Sequence, residues 1–140
     1  MSWNLHHVNL PAHDVRAMVN FYSSVFGMNE VPFPWSGDGD KGKLETGGDF
    51  VALFEDVNGR QIHICKPTPS LPWDNDLRLH PVINGHIALQ VDDIQAVMRR
   101  LKEQNMPYND AGSWSYRGFH QLYTYDPSMN VVEVNQRVED

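Results

Sequence analysis

The sequence predicts an α+β fold made of two copies of one strand–helix–strand–strand–strand unit. Three observations carry the prediction. First, residues 5–10 (Leu-His-His-Val-Asn-Leu) recur at residues 85–91 (Gly-His-Ile-Ala-Leu-Gln-Val), so that His7, Leu10, Asp14 and Ala17 reappear as His86, Leu89, Asp93 and Ala96, each 79 positions on (7 to 86). Second, a hairpin pattern at Asp56 recurs 70 positions on (56 to 126), where Ile62, His63 and Ile64 match Val132, Glu133 and Val134. Third, four strand segments place aliphatic residues on one face and His, Glu, Asn, Gln or Cys on the other. An internal repeat decides the architecture before any single residue is interpreted. The difference between the two shifts leaves about nine extra residues in the first half.

The elements follow in order. Residues 5–10 alternate as a half-buried strand, with Leu5, His7 and Asn9 on one side and His6, Val8 and Leu10 on the other. Asp14 opens a helix whose apolar stripe is Val15, Met18, Val19, Tyr22, Val25 and Phe26. Gly27 supplies its left-handed stop, and residues 28–31 form the next strand. Residues 32–48, rich in Pro, Gly and Asp, read as a long loop with a short strand at Lys43 to Glu45. Phe33 and Trp35 in this loop either cover a binding site or pack on the rim of the core. Residues 50–55 and 60–66 make a hairpin about Asn58-Gly59, a strong turn signal. Residues 67–82 contain four prolines and no periodicity, and connect the halves.

The second half repeats the plan. A strand at 85–91 is followed by a helix that Asp92 and Gln95 open as a capping box, with Ile94, Val97, Met98 and Leu101 as its stripe. A short strand near Tyr108, a strand at 119–125, a turn at 126–130 and a final strand at 131–136 complete it. Module one therefore spans about residues 3–66 and module two about 83–137, within one domain over residues 1–140.

Composition bounds the function. At 140 residues, 41% apolar and 21% charged, the chain suits one ordinary globular domain with a real core. A net charge of −7 argues against a nucleic-acid partner, which needs a basic face. Neither a membrane span nor a signal peptide is legible. A single cysteine, Cys65, allows no internal disulfide and points to a reducing compartment, so a cytoplasmic location is expected.

Seven histidines in so short a chain pose the chemical question. The aliphatic face (Val8, Leu10, Ile62, Ile64, Ile87, Leu89, Val132, Val134) must cover both helices. The opposite face then carries His7, His63, His86 and Glu133, a set suited to a divalent transition metal. His63 either binds that metal or stands beside it. His6, His13, His80 and His120 break the pattern and read as structural or surface residues. Asn9 and Gln90 share faces with the histidines and are expected to support them. Gln121 and Tyr123, with Arg117 at the mouth and Trp35 in the loop, are the candidate substrate contacts. Arg117 or Tyr116 would hold an anionic substrate.

These residues resemble the vicinal oxygen chelate superfamily, which includes glyoxalase I, extradiol dioxygenases and the fosfomycin- and bleomycin-resistance proteins. The resemblance rests on His7-Val-Asn-Leu, on Phe21-Tyr22-Ser-Ser-Val-Phe-Gly27-Met28, on Gly85-His86-Ile-Ala-Leu, and on Asp126-Pro127 with Asn130-Val-Val-Glu133. It implies paired βαβββ modules whose curved mixed sheet forms a cup around a divalent metal, helices outside, and it implies a homodimer. His7, His86 and Glu133 match the two-histidine, one-carboxylate set of the extradiol and fosfomycin-resistance enzymes. Glyoxalase I usually has a carboxylate where this chain has His63, which counts against that activity. Extradiol enzymes commonly carry two such paired domains, so that match is incomplete.

The expectation is a metal-dependent lyase, isomerase or dioxygenase acting on a small oxygenated substrate that chelates Zn, Ni, Mn, Co or Fe, with Glu133 both ligand and catalytic group. A metal acting as Lewis acid would stabilise an enolate or alkoxide. Iron(II) with two histidines and Glu133 would instead leave room for oxygen and a catecholate. The alternative is a metal-free binding module of the bleomycin-resistance kind, holding its ligand through Trp35, Trp114 and tyrosines.

Overall fold

The computed structural model describes residues 1–36 and 44–138. Module one runs β1 (Trp3–Pro11), α1 (Val15–Phe26), β2 (Glu30–Val31), a small hairpin of β3 (Phe33–Pro34) and β4 (Leu44–Glu45), then β5 (Val51–Glu55) and β6 (Gln61–Cys65). A four-residue helix, α2 (Leu71–Asp74), lies in the connection, where the sequence shows no period. Module two runs β7 (His86–Val91), α3 (Ile94–Glu103), β8 (Tyr108–Gly112), β9 (Phe119–Tyr125) and β10 (Val131–Arg137). Residues 37–43 of the loop expected at 32–48, including Lys43 of its expected strand, lie outside the described residues; Leu44 and Glu45 do form a strand.

Eight strands form one mixed, curved sheet in the order β2-β5-β6-β1-β7-β10-β9-β8. The modules meet where β1 runs antiparallel to β7, so a single chain supplies both halves of the sheet. Both helices lie on one face because their apolar stripes need the aliphatic strand residues. Val15 and Val19 of α1 pack with Ala52, Phe54 and Ile64, while Ile94 and Met98 of α3 pack with Val91, Leu122 and Val134. The stripe of α1 stops short of its expected length, because Val25 and Phe26 run past the sheet and stay exposed.

The helix starts obey the longer repeat. Asp14 Oδ1 accepts from the Ala17 N–H at 3.0 Å and Asp93 Oδ1 from the Ala96 N–H at 2.9 Å. Each such cap contributes about 1 kcal/mol. The cap of α3 is thus Asp93 rather than the expected Asp92, whose carboxylate accepts instead from the backbone N–H and hydroxyl of Ser2.

Alternation breaks in β1, where the register with β7 shifts between Leu5 and His7. Along β1 and β7, Leu5 pairs with Leu89 but the next pair is His7 with Ala88, so His6 is an extra residue. Such a bulge turns neighbouring side chains to the same side and reverses the parity beyond it. Leu5, expected beside His7, therefore joins Val8 in a groove on the helix side. His6, expected on the aliphatic face, turns inward and is buried beside His7.

Candidate metal centre

Three strands from two modules bring His7, His86 and Glu133 together, each offering an atom within 4.8 Å of the others. Glu133 Oε2 lies 3.2 Å from His7 Nε2 and 3.0 Å from His86 Nε2, and the two imidazole nitrogens are 3.3 Å apart. All three side chains are almost wholly buried. These separations match neighbouring donors sharing one divalent ion at about 2.1 Å.

The rings are held so that lone pairs point inward. His86 Nδ1 sits 2.6 Å from the Pro81 carbonyl oxygen, which only accepts, so Nδ1 carries the hydrogen. The Asn135 amide donates to Glu133 Oε1 at 3.1 Å and lies 3.3 Å from His6 Nδ1, making that nitrogen the acceptor. His7 Nδ1, 2.8 Å from His6 Nδ1, is then the donor. In both rings Nε2 is left with its lone pair, and Oε2 of Glu133 faces them. Gln121 and Asn135 hold the other carboxylate oxygen. Three acceptors meeting without a donor fit a cation between them, which is the arrangement structural partners impose on metal-binding histidines.

Electrostatics agree. Burial alone would raise the Glu133 carboxyl, but positive charge at the two facing imidazoles outweighs it and holds the group well below the usual carboxylate range, which is the sense in which a cation between the three groups would act. Burial and the neighbouring His7 push His6 down to about 4, so it is a neutral imidazole.

His63 is the fourth expected member and lies apart from the three converging groups. Its ring stacks on His7 with centroids 3.7 Å apart and also faces Tyr116. His63 Nε2 is 2.8 Å from Gln61 Oε1, while the Gln61 amide nitrogen donates to Glu55 at 2.9 Å and to the Tyr116 hydroxyl at 3.0 Å. Glu55 only accepts, so the amide orientation is set and His63 Nε2 must donate. Nδ1 of His63 therefore keeps a lone pair. Burial first, and the neighbouring His7 second, drive this imidazole far below its ordinary value, so it stays neutral.

A cavity of about 190 Å³ opens beside these residues. Its walls include Phe33, Trp35, Trp114, Tyr116 and Tyr123, with Asn9, His63, His86 and Glu133 among the polar groups. The loop aromatics Phe33 and Trp35 thus line the cavity and also pack against the core cluster that holds Val51 and Leu53. Asn9 donates to the Cys65 sulfur at 3.1 Å, while its buried Oδ1 has no partner among the described residues. Burial pushes the Cys65 thiol up to about 12, keeping it protonated. Tyr123 is also held neutral, first by burial and then by the Glu133 charge, and its hydroxyl accepts from Trp114 Nε1.

The remaining expected contacts fall differently. Gln121 reaches the site, but its carbonyl oxygen accepts from Ser115 and Tyr116 and its nitrogen serves Glu133. Arg117 binds Pro34 through its backbone and is not among the cavity walls. Gln90 pairs with Asn4 and Asn135 and lines a separate surface hollow. It shares a face with His86, but four residues of strand carry it roughly 13 Å further along. His6, Asn135, Gln61 and the Pro81 carbonyl were not singled out from sequence. Of these, Asn135 and Gln61 carry a signal there, through their parity with Glu133 and His63.

A curved sheet of two βαβββ modules with two histidines and a glutamate at its centre defines a class. The chain belongs to the glyoxalase/bleomycin resistance protein/dioxygenase superfamily, whose family profile matches residues 4–134. No curated protein matches the chain in sequence. Methylmalonyl-CoA epimerase from Mycobacterium tuberculosis is similar in structure, with a TM-score of 0.60 at 18% identity, covering 96% of this chain and 88% of that one. A variant of the Streptomyces coelicolor methylmalonyl-CoA epimerase, in complex with 2-nitronate-propionyl-CoA, gives 0.62 at 16%, covering 96% and 97%. A superfamily member from Vibrio splendidus 12B01 gives 0.58 at 12%, covering 98% and 100%. At these identities the likeness is one of fold. Among the described residues, no helix is long and apolar enough to cross a membrane.

Proposed function

We propose that this protein is a metal-dependent enzyme whose substrate is a small molecule with two adjacent oxygens. The observation that supports it is the inward convergence of His7 Nε2, His86 Nε2 and Glu133 Oε2 at 3.0–3.3 Å, with both imidazole tautomers set from behind. These three residues would hold a divalent ion and leave positions open for substrate. A bound ion supplies Lewis acidity, lowering the cost of negative charge on substrate oxygen.

The chain's own residues supply the rest. The aromatic walls exclude water and seat a compact organic group. Asn9 Oδ1, buried and without a partner among the described residues, accepts a hydroxyl or N–H of the substrate. His63 Nδ1, unprotonated, is the group placed to accept the substrate proton; burial weakens it as a base, and the developing substrate anion together with Gln61 Oε1, backed by Glu55, would offset the charge then formed on the ring. Proton removal beside a developing oxyanion is lyase or isomerase chemistry. Dioxygenase chemistry is the second reading, favoured by His63 standing outside a two-histidine, one-carboxylate set, which leaves room for oxygen on iron.

The test is metal analysis of protein purified without a histidine tag. Wild type should carry about one equivalent, and His7→Ala and Glu133→Ala less than roughly a tenth of that. Equal content in all three would remove the proposal and leave a metal-free binding module. His63→Gln should keep the metal and lose about 10²-fold or more in turnover, in a screen of α-keto acids, hemithioacetals, catechols and fosfomycin with and without oxygen. Loss of metal in His63→Gln would make His63 a ligand instead.

A further inference from the structure

The connection between the modules has a use that its irregular sequence hides. His80 Nε2 lies 2.7 Å from the Thr68 carbonyl oxygen, which only accepts, so Nε2 donates and Nδ1 is left as an acceptor. That Nδ1 receives the Val82 N–H at 3.3 Å. The Val82 N–H and the Pro81 carbonyl belong to the same planar peptide unit. The carbonyl end of that unit is the acceptor for His86 Nδ1 at 2.6 Å. One peptide plane is therefore gripped at its N–H end by His80 and grips His86 at its C=O end. Pro81 is fully buried, and the Gly85 N–H returns to the Val82 carbonyl at 3.2 Å, which closes the segment onto the start of β7.

We infer that His80 is a positioning residue for the metal centre: through the peptide between Pro81 and Val82 it sets the tautomer and tilt of His86. The inference rests on the metal reading above for its consequence, but not for its geometry. Removing the imidazole frees the N–H end of the plane. The carbonyl can then turn away from His86, and the hydrogen can move to Nε2, where it blocks the lone pair that faces Glu133.

The test compares His80→Ala with His80→Gln, whose carboxamide can donate to Thr68 and accept from Val82. Metal affinity is measured by competition with a chelating dye, and the His86 tautomer by nitrogen-15 NMR of metal-free protein at pH 8. His80→Ala should bind metal about 10- to 100-fold more weakly and show a mixture of His86 tautomers where wild type shows one; His80→Gln should recover most of both. Unchanged affinity and a single His86 tautomer in His80→Ala would overturn the inference. If His80→Ala does not fold, His80→Phe keeps the ring volume, removes both hydrogen bonds and gives the same comparison. Wild type that binds no metal would end the proposed function, while the tautomer comparison would still decide the role of His80.

Discussion

The two modules place His7 and His86 at equivalent points of their first strands, yet hold them by unlike means. In module one the partner is a side chain, His6, turned inward by a bulge and backed by Asn135. In module two it is a backbone carbonyl from the connection, backed by His80. The last strands diverge more. His63 and Glu133 correspond across the 70-residue shift, but Glu133 joins the three convergent groups while His63 stacks on His7 and bonds to Gln61. Repetition of the backbone supplies equivalent places, and local neighbours then decide what each side chain does there.

The largest expected effect separates two glycines that look alike in torsion. Gly85 has φ +73°, and a Cβ there would lie 2.4 Å from the Asn9 carbonyl oxygen of β1. Gly59 has φ +79°, and a Cβ would meet nothing within 4 Å among the described residues. Gly85→Ala should cost more than about 3 kcal/mol in urea unfolding, since backbone must move as well as strain be borne, while Gly59→Ala should cost about 1. Equal costs would mean that the crossing of the strands at Gly85 is not what sets the position of His86.

Acid should distinguish the two ways of holding a histidine. His6 has a folded value of about 4 against an unfolded 6.5. Below pH 6.5 the unfolded chain takes up a proton that the folded chain refuses, so stability falls with pH down to about 4, by roughly 3 kcal/mol in all and about 2 by pH 5. His63 is shifted in the same direction and adds to the fall. Glu133, held low, contributes stability that is fully present above its unfolded value and lost progressively from there down to its lower folded value, beneath the interval from pH 7 to 5. The Pro81 carbonyl does not titrate. Urea midpoints of metal-free protein at pH 7 and 5 should therefore converge in His6→Gln relative to wild type; an equally steep fall would remove His6 as a source.

The smallest effect lies in the hairpin turns. In each, an aspartate side chain caps two backbone N–H groups, Asp56 for Asn58 and Arg60, Asp126 for Ser128 and Asn130. Where module one has Gly59, module two has Met129 at φ +65°. Met129→Gly should stabilise by about 0.5–1 kcal/mol and raise Tm by a few degrees. No gain would mean that flexibility of the unfolded chain cancels the relief.

Much of this molecule was legible in its residues. Periods of two and 3.6 and the two shifts gave the strand and helix order of both modules, because repeated aspartate caps, turn residues and apolar stripes are local features. His7, His86 and Glu133 were legible as well, since strand parity alone aims them at one face. What escaped was non-local. Alternation could not foretell the bulge that turns His6 inward and Leu5 outward, since a bulge is defined by the partner strand. Gln90 failed for a related reason: parity gives a face but not a distance along the cup. The connection was unreadable because its order comes from Thr68, His80 and Pro81 bonding to distant atoms rather than from any period.

Sequence alone thus determined the duplicated plan, the strand and helix order, and which face of each strand is polar, since these depend on torsions and spacings within a few residues. Tertiary structure decided which polar groups touch. It set the tautomers of His7 and His86, the separation of His63 from the three convergent donors, and the burial that keeps His6 and His63 neutral. These depend on hydrogen bonds and desolvation between residues up to 129 positions apart, contacts that exist only once the two modules have closed into one sheet.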